Sequence, residues 1–210
     1  MNIQEKAITK DEIEKNNRVY LARQEMYKTY GYDNEKERVY IINAAWPITG
    51  KILEAGTGKG YLALEIAKKG YAFTTYDVDP EMQRIAGMNL AYFGVDGEVE
   101  FIIEDKEKLS FADKSFDVIF CVNTLHHIEN SAAVLGEFLR ILSDGGKLVV
   151  SDFTDKTFGI MDRVHESEGG KHEVIGWSMD EPAEYFRNMG CRIKEISDDY
   201  QRVFVVGKGK

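Results

Sequence analysis

The sequence is poor in cysteine and in basic charge. Its two cysteines, Cys121 and Cys191, lie in apolar runs without the close spacing of a metal clip or a redox pair, so we interpret both as buried thiols. The 27 lysines and arginines are outnumbered by 36 acidic residues, which gives a formal net charge of −9. Because proteins that bind nucleic acids usually present a basic face to the phosphates, this balance argues against a nucleic-acid partner.

Long apolar runs are missing as well. No segment approaches the roughly 18 uninterrupted apolar residues of a membrane-spanning helix. The first residues, MNIQEKAITKDEIEKNN, are charged throughout and lack the apolar stretch of a signal peptide. We therefore expect no membrane span and a cytoplasmic location. A chain of 210 residues with 43% hydrophobic content suits one α/β core.

The apolar pattern divides the chain near Gly50. Before it, the spacing of apolar residues predicts two amphipathic helices, over 11–30 and about 34–45. We assign 1–47 to an N-terminal helical cap and 48–210 to the main domain. Tyrosines at 20, 27 and 30 in the first helix are interpreted mainly as packing residues.

Beyond Gly50, short β-rich runs alternate with helical stretches. Strands are predicted at 51–55, 72–77, 99–103, 116–122 and 147–152, and the first three are linked by helices, which indicates a mainly parallel sheet. Residues 154–177 lack a clear period and are predicted to be a long loop or lid. A helix from about 178 to 189 and two strands joined by Asp198 and Asp199 then predict an antiparallel hairpin at the sheet edge.

The stretch ILEAGTGKGYLAL, residues 52–64, places three glycines on alternate positions after the first predicted strand. Such a loop lets a ligand approach the backbone N–H groups at a helix N-terminus. Gly58, Gly60 and Ala63 satisfy the G-x-G-x-x-G/A pattern of dinucleotide sites, and Asp77 follows at the expected distance. The loop by itself leaves a nicotinamide cofactor open.

Further motifs in the sequence point away from a dinucleotide site and toward another family. Glu54 and Gly56 extend the loop to Glu-x-Gly-x-Gly-x-Gly, the second strand ends in YDVDPEM, and FIIEDKEKLSFADKSFDVIFCVNTLHHI and LRILSDGGKL follow in order. In these motifs the sequence resembles the class I S-adenosylmethionine-dependent methyltransferases of the ubiquinone/menaquinone-biosynthesis-like type. The resemblance runs from about Lys51 to Asp152. It departs from the family where Asp144 replaces the usual proline before the glycine pair.

The resemblance implies a Rossmann-like three-layer sandwich with a seven-stranded, mostly parallel sheet whose last strand is antiparallel. It implies S-adenosylmethionine as the cofactor, with Glu54 near its methionine part, Asp77 on its ribose and Asp105 on its adenine. The full set of predicted cofactor-binding residues is Glu54, Gly56, Thr57, Gly58, Gly60, Asp77, Val78, Met82, Asp105, Lys106 and Asn123.

The histidines are the most reactive-looking side chains. His127 and His126 are candidate catalytic residues, although a structural or cofactor-packing role is equally compatible with the Leu-His-His pattern. His165 and His172 could reach a substrate, or a metal together with Asp152 or Asp155. Their spacing fits no standard metal site, so no metal is expected.

The absence of certain motifs narrows the range of possible methyl acceptors. No Asn/Asp-Pro-Pro-Tyr follows the fourth strand and no Pro-Cys dipeptide occurs, which argues against two kinds of DNA methylation. We therefore expect methyl transfer to a small-molecule acceptor by in-line displacement, in a monomer or homodimer. Two alternatives stay open: a non-catalytic S-adenosylmethionine-binding protein and an NAD-dependent oxidoreductase.

Overall fold

The computed structural model describes residues 8–104 and 108–209. Helices in these ranges are α1 (Lys10–Thr29), α2 (Asn34–Ala44), α3 (Tyr61–Lys68), α4 (Pro80–Tyr92), α5 (Ser131–Ile141), α6 (Asp155–Ser167) and α7 (Asp180–Asn188). Strands are β1 (Ile52–Ala55), β2 (Phe73–Asp77), β3 (Val99–Ile103), β4 (Phe116–Val122), β5 (Leu142–Phe153), β6 (Arg192–Ser197) and β7 (Gln201–Gly207).

The seven strands form one sheet in the order β3-β2-β1-β4-β5-β7-β6. The first five strands are parallel, and β7 runs antiparallel to both of its neighbours. This arrangement confirms the predicted fold class, including the antiparallel last strand. The order reverses between β1 and β4, and ligands of such sheets bind at the carboxyl ends of the strands beside this reversal.

Helices cover both faces of the sheet. On one face α5 and α7 bury residues such as Leu135, Phe138 and Phe186 against the strands. On the other face α2 contributes Ile41 and Ile42, and α3 contributes the apolar residues at 62, 63, 64, 66 and 67. Strand residues alternate between the two cores, as the two-residue period of a strand requires.

The helical cap packs against the rest of the chain through polar contacts as well. Thr9 caps α1, because its hydroxyl accepts from the Glu12 N–H while the Glu12 carboxylate accepts from the Thr9 N–H. Arg84 on α4 pairs with Glu12 at 2.9 Å. The start of α1 is thereby tied to α4.

The prediction for residues 154–177 was wrong in its first half. Residues 155–167 form α6, whose buried residues 157, 160, 161 and 164 follow a helical period. They pack with Tyr27 and Tyr32 of the cap in a small third core. The period was missed because glycine and charged residues interrupt it.

The two cysteines, both expected to be buried, differ in their exposure to solvent. Cys121 is buried, but Cys191 is only half-buried, and neither forms a disulfide within the described residues. Among residues 8–104 and 108–209, every helix is too short or too polar to cross a lipid bilayer.

Candidate functional site

A cavity of about 420 Å³ opens at the carboxyl ends of β1, β2 and β4. Eight of the predicted cofactor and catalytic residues line it: Glu54, Gly56, Thr57, Gly58, Asp77, Met82, Asn123 and His127. A larger cavity of about 630 Å³ lies at the opposite ends of the strands, near Lys51 and Phe73. We take the smaller cavity as the candidate site, because the chemically active side chains converge there.

The glycine loop is held against the second strand. The N–H groups of Gly56 and Thr57 both donate to the Tyr76 carbonyl, at 2.9 and 3.1 Å. Gly56 has a φ of 84°, and a Cβ there would lie 2.5 Å from Thr124 Oγ1. Only glycine fits this position, since the conformation and the close approach both exclude a side chain. The loop therefore packs directly beside the end of β4.

Asp77 is fixed by backbone groups on both sides. Its Oδ2 accepts from the Gly58 N–H at 2.8 Å, and its Oδ1 accepts from the Asp79 N–H at 3.1 Å. Asp79 is the N-cap of α4, as the sequence indicated. Each carboxylate oxygen has a second lone pair, so Asp77 can still accept from a ligand in the cavity.

Glu54 is buried at the end of β1, with 2% of its surface exposed. The Thr57 and Thr75 hydroxyls are 2.6 Å apart, and Thr75 donates to Glu54 Oε2 at 2.6 Å. Burial raises the pKa of Glu54 to about 8, against the opposing effect of the Thr75 hydrogen bond. Proximity to a cationic ligand group would favour the ionised carboxylate.

Asn123 follows β4 with a φ of 51°, a conformation that non-glycine residues rarely adopt. With its amide oriented to satisfy both neighbours, its nitrogen donates to Gln201 Oε1 at 3.0 Å and its oxygen accepts from Arg38 at 2.8 and 2.9 Å. The side chain is thus engaged by the cap and by β7.

Arg38 and Arg23 are cavity residues that the sequence analysis missed. Arg38 on α2 has 7% of its surface exposed and forms no ion pair within the described ranges. Arg23 on α1 pairs with Glu168 at 3.0 Å. Neither lies in a recognisable motif, because helix packing brings them to the cavity.

Two further predicted cofactor residues, Gly60 and Val78, lie outside the cavity lining. Gly60 caps α3, and a Cβ there would be 2.6 Å from that of Ala86 on α4, so close helix packing requires this glycine. Val78 is exposed over 49% of its surface beside the cavity residue Asp77. Asp105 and Lys106 lie outside the described residues.

The two candidate catalytic histidines have different environments. They lie on a short 3₁₀ turn, Leu125–His127. His126 is buried, and its Nδ1 lies 2.7 Å from Asp152 Oδ1. His127 faces the cavity. Partial withdrawal of its ring from water, together with the neighbouring His126 and His172, lowers the pKa of His127 to about 4. His127 is consequently a weak base at neutral pH.

His165 on α6 and His172 in the following segment join this pair. The His165 and His172 rings are stacked, with centroids 5.0 Å apart, and the His172 centroid is 5.1 Å from that of His126. We call His126, His127, His165 and His172 the histidine cluster. Burial lowers the pKa values of His165 and His172. Asp155 is exposed and does not belong to the cluster.

Comparison with known proteins agrees with this geometry. Residues 53–150 match the family described as "Methyltransferase domain". Residues 53–150 thus carry the sequence pattern of a methyltransferase domain. The cofactor of this domain is S-adenosylmethionine. The match favours that cofactor over the nicotinamide alternative.

The relatives of the methyltransferase domain include enzymes with different acceptors. The ubiquinone/menaquinone biosynthesis C-methyltransferase UbiE of Geotalea daltonii is 28% identical over 133 residues, which cover 62% of this chain and 57% of that protein. The sterol 4-C-methyltransferase strm-1 of Caenorhabditis elegans is 32% identical over 100 residues, covering 48% and 30% respectively. The chain thus matches less than two thirds of the length of these relatives.

A solved structure supports the same fold over nearly the whole chain. A SAM-dependent methyltransferase from Aquifex aeolicus superimposes with a TM-score of 0.65 and 19% identity, over 92% of this chain and 97% of that one. At this identity the likeness concerns the fold.

Proposed function

We propose that the protein transfers the methyl group of S-adenosylmethionine to a small-molecule acceptor. The observation that carries the proposal is the convergence of Asp77, Glu54 and Arg38 on one cavity at the carboxyl edge of the sheet. Two acids and an unpaired arginine suit a ligand that carries ribose hydroxyls, an ammonium group and a carboxylate. The helical cap then forms part of the cofactor site.

Asp77 would bind the ribose. Its carboxylate is already oriented by the N–H groups of Gly58 and Asp79, so little conformational entropy would be lost when it accepts from two hydroxyls. Met82 lines the same end of the cavity and would pack against the adenine. Asp105 and Lys106 are expected at the adenine as well, on the family resemblance.

Glu54 and Arg38 would bind the amino-acid end. An ammonium group near Glu54 would stabilise its carboxylate and so offset the cost of burying that charge. Arg38 presents a guanidinium that forms no ion pair within the described residues, and a guanidinium matches a carboxylate through two parallel hydrogen bonds. Asn123 would hold Arg38 in place through the contacts at 2.8 and 2.9 Å.

The bound cofactor supplies a methyl group already activated by its sulfonium. The protein's own contribution is alignment of the acceptor and exclusion of water. Helices α1 and α6 cover this edge, joined by the Arg23–Glu168 ion pair, and the segment after α6 would serve as a lid. His127 faces the cavity and is the better placed of the two predicted catalytic histidines to contact an acceptor.

A small-molecule acceptor agrees with the acidic composition, which argues against a nucleic acid, and with a cavity that helices α1 and α6 cover. One relative is a C-methyltransferase of ubiquinone/menaquinone biosynthesis and the other is a sterol 4-C-methyltransferase, so the acceptors of the relatives differ from each other. Quinols, phenols, thiols and amines are therefore the acceptor classes to screen.

The first experiment is calorimetry with S-adenosylmethionine, S-adenosylhomocysteine and NAD, followed by a screen of these acceptors for release of S-adenosylhomocysteine. We expect both adenosyl ligands to bind and at least one acceptor class to turn over. Tight NAD binding without binding of either adenosyl ligand would overturn the proposal. Cofactor binding without turnover would instead favour the non-catalytic alternative.

Arg38→Met tests the placement of the amino-acid end. We expect about 30-fold weaker binding of S-adenosylhomocysteine, since a charge-assisted pair in a shielded site contributes about 2 kcal/mol. Binding of 5′-methylthioadenosine, which lacks the amino-acid end, should change by less than about threefold. Arg84→Met, which removes an arginine paired with Glu12, is the matched control. Equal losses for both ligands would show that Arg38 acts through the fold instead.

A further inference from the structure

All four histidines of the 210-residue sequence meet in the histidine cluster. His126 and His127 follow β4, His165 lies in the last turn of α6, and His172 lies in the segment after α6. That segment is fastened to the turn after β4, because the N–H groups of Ile175 and Gly176 both donate to the His126 carbonyl at 2.9 Å. The cluster is therefore assembled by contacts between distant parts of the chain.

Three of these imidazoles are close enough to share one ion. A ligand nitrogen from each of His126, His127 and His172 can be chosen so that all three lie within 4.8 Å of one another. The Nε2 atoms of His126 and His172 are 3.2 Å apart. Two nitrogens at about 2.1 Å from a tetrahedral zinc ion are separated by roughly 3.4 Å. This pair already has the required spacing. A nitrogen of the more exposed His127 ring lies within 4.8 Å of the other ligand atoms and would have to approach them more closely to bind the same ion.

Carboxylates stand behind the two facing imidazoles. Asp152 Oδ1 lies 2.7 Å from His126 Nδ1, with both side chains almost fully buried. Asp162 Oδ1 lies 3.5 Å from His172 Nδ1. A carboxylate behind the non-ligating nitrogen is the usual support of a metal-binding histidine, because it fixes the tautomer and orients the ring.

In this arrangement, the neutral imidazoles of His126 and His172 cannot satisfy the hydrogen bonding of all their ring nitrogens at once. If both Nδ1 atoms carry protons toward their carboxylates, two Nε2 lone pairs face each other at 3.2 Å with no donor between them. If His172 is protonated on Nε2 instead, its buried Nδ1 turns a lone pair toward Asp162 and has no hydrogen-bond partner among the described residues. A cation between the Nε2 atoms removes the mismatch in the first tautomer.

We propose that His126, His127 and His172 bind one divalent transition-metal ion of the zinc type, with Asp152 and Asp162 as orienting residues. Three nitrogen ligands suit zinc, cobalt or iron, whereas magnesium and calcium prefer oxygen. Adjacent histidines followed by a third 45 residues later match no standard spacing of zinc ligands, so no metal was expected from the sequence.

The site borders the cofactor cavity through His127, beside Asn123 and Thr124. Three protein ligands leave a fourth position, which would take the hydroxyl or thiol of an acceptor and favour loss of its proton to solvent. The acceptor atom would then form its bond to the methyl carbon as the carbon–sulfur electron pair returns to sulfur. This role rests on the proposed function, whereas the metal site itself does not.

Metal binding is tested on the full chain after treatment with a chelator. Calorimetry with Zn²⁺ and visible absorption with Co²⁺ should each show one ion per chain, with a Zn²⁺ dissociation constant below about 1 μM. His127→Ala and His172→Ala should each weaken Zn²⁺ binding by at least about 30-fold. His165→Ala is the matched control, since it removes a ring stacked on His172 but not a ligand, and should change binding by less than about threefold.

Binding of S-adenosylhomocysteine to the same chelated protein and variants separates this proposal from the proposed function. Retention of that binding with no Zn²⁺ uptake would overturn the metal site alone. Equal Zn²⁺ affinity in His172→Ala and the parent protein would also overturn it, because the ion would then lie elsewhere. His172→Gln, which keeps a polar side chain, serves if His172→Ala does not fold.

Discussion

Two neighbouring parts of the same sheet edge are built in different ways. The glycine edge, Glu54–Gly60 with Asp77, consists of one loop and the end of the next strand. The two are joined by hydrogen bonds such as that from the Gly58 N–H to the Asp77 carboxylate. The histidine cluster joins the turn after β4, the last turn of α6 and the segment beyond it. The first is local in sequence, and the second brings together residues up to 46 positions apart.

The difference explains what sequence motifs can reveal about such a site. A loop that must approach a ligand with its backbone has few permitted residue types, so its glycines and acids recur at fixed spacing. Side chains supplied by separate helices can come from many positions. The glycine edge, together with the later motifs of the family resemblance, accordingly indicated the cofactor, while the spacing of the histidines did not indicate what they bind.

The largest effect is expected at the buried acid of the glycine edge. Burial raises the pKa of Glu54 from 4.5 to about 8, so the folded chain binds this proton more tightly than the unfolded chain. Its stabilising contribution is present below pH 4.5 and is lost as the pH rises through about 8. Glu54→Gln should therefore gain about 4 kcal/mol relative to the parent protein between pH 5 and pH 9.

Urea unfolding of both proteins at several pH values measures this difference. Parallel pH profiles would mean that Glu54 is ionised in the folded protein. In that case Glu54 would already be a carboxylate before a cationic ligand binds.

Asp77→Ala tests whether the glycine edge binds the ribose. We expect about 100-fold weaker binding of S-adenosylhomocysteine by calorimetry, since two hydrogen bonds to a carboxylate are lost. Asp79→Ala is the matched control, because Asp79 only caps α4 and its loss should cost about 1 kcal/mol of stability with little effect on binding. Similar affinities for the two variants would contradict the ribose assignment.

Gly60→Ala asks how much of the glycine motif serves packing. The new Cβ would lie 2.6 Å from the Cβ of Ala86 at a residue with a φ of 77°, so we expect a loss of about 2 kcal/mol in urea unfolding. Gly97→Ala, where a Cβ meets nothing within 4 Å, should change stability by less than about 0.5 kcal/mol. Equal effects would mean that α3 and α4 can separate to accommodate the methyl group.

Prediction from sequence succeeded where one short segment carried the information. The seven strands were predicted, the first five of them in a mainly parallel sheet. The antiparallel direction of the last strand followed from the predicted hairpin at Asp198 and Asp199. Helix α6 was missed because charged residues and Gly159 interrupt its apolar stripe, whose packing partners lie in the cap. Arg38 was missed for a similar reason, since its partners Asn123 and Tyr32 are not its sequence neighbours.

The sequence by itself determined the α/β architecture, and its motifs indicated the cofactor through the family resemblance. Apolar periodicity records which faces are buried, and the spacing of Glu54, the glycines and Asp77 records a backbone geometry that few residues can adopt. Only the tertiary structure decided that α1 and α2 bring arginines to the cofactor cavity and that four scattered histidines share one cluster. Contacts between separate elements depend on helix packing and sheet order, and no local spacing along the chain encodes them.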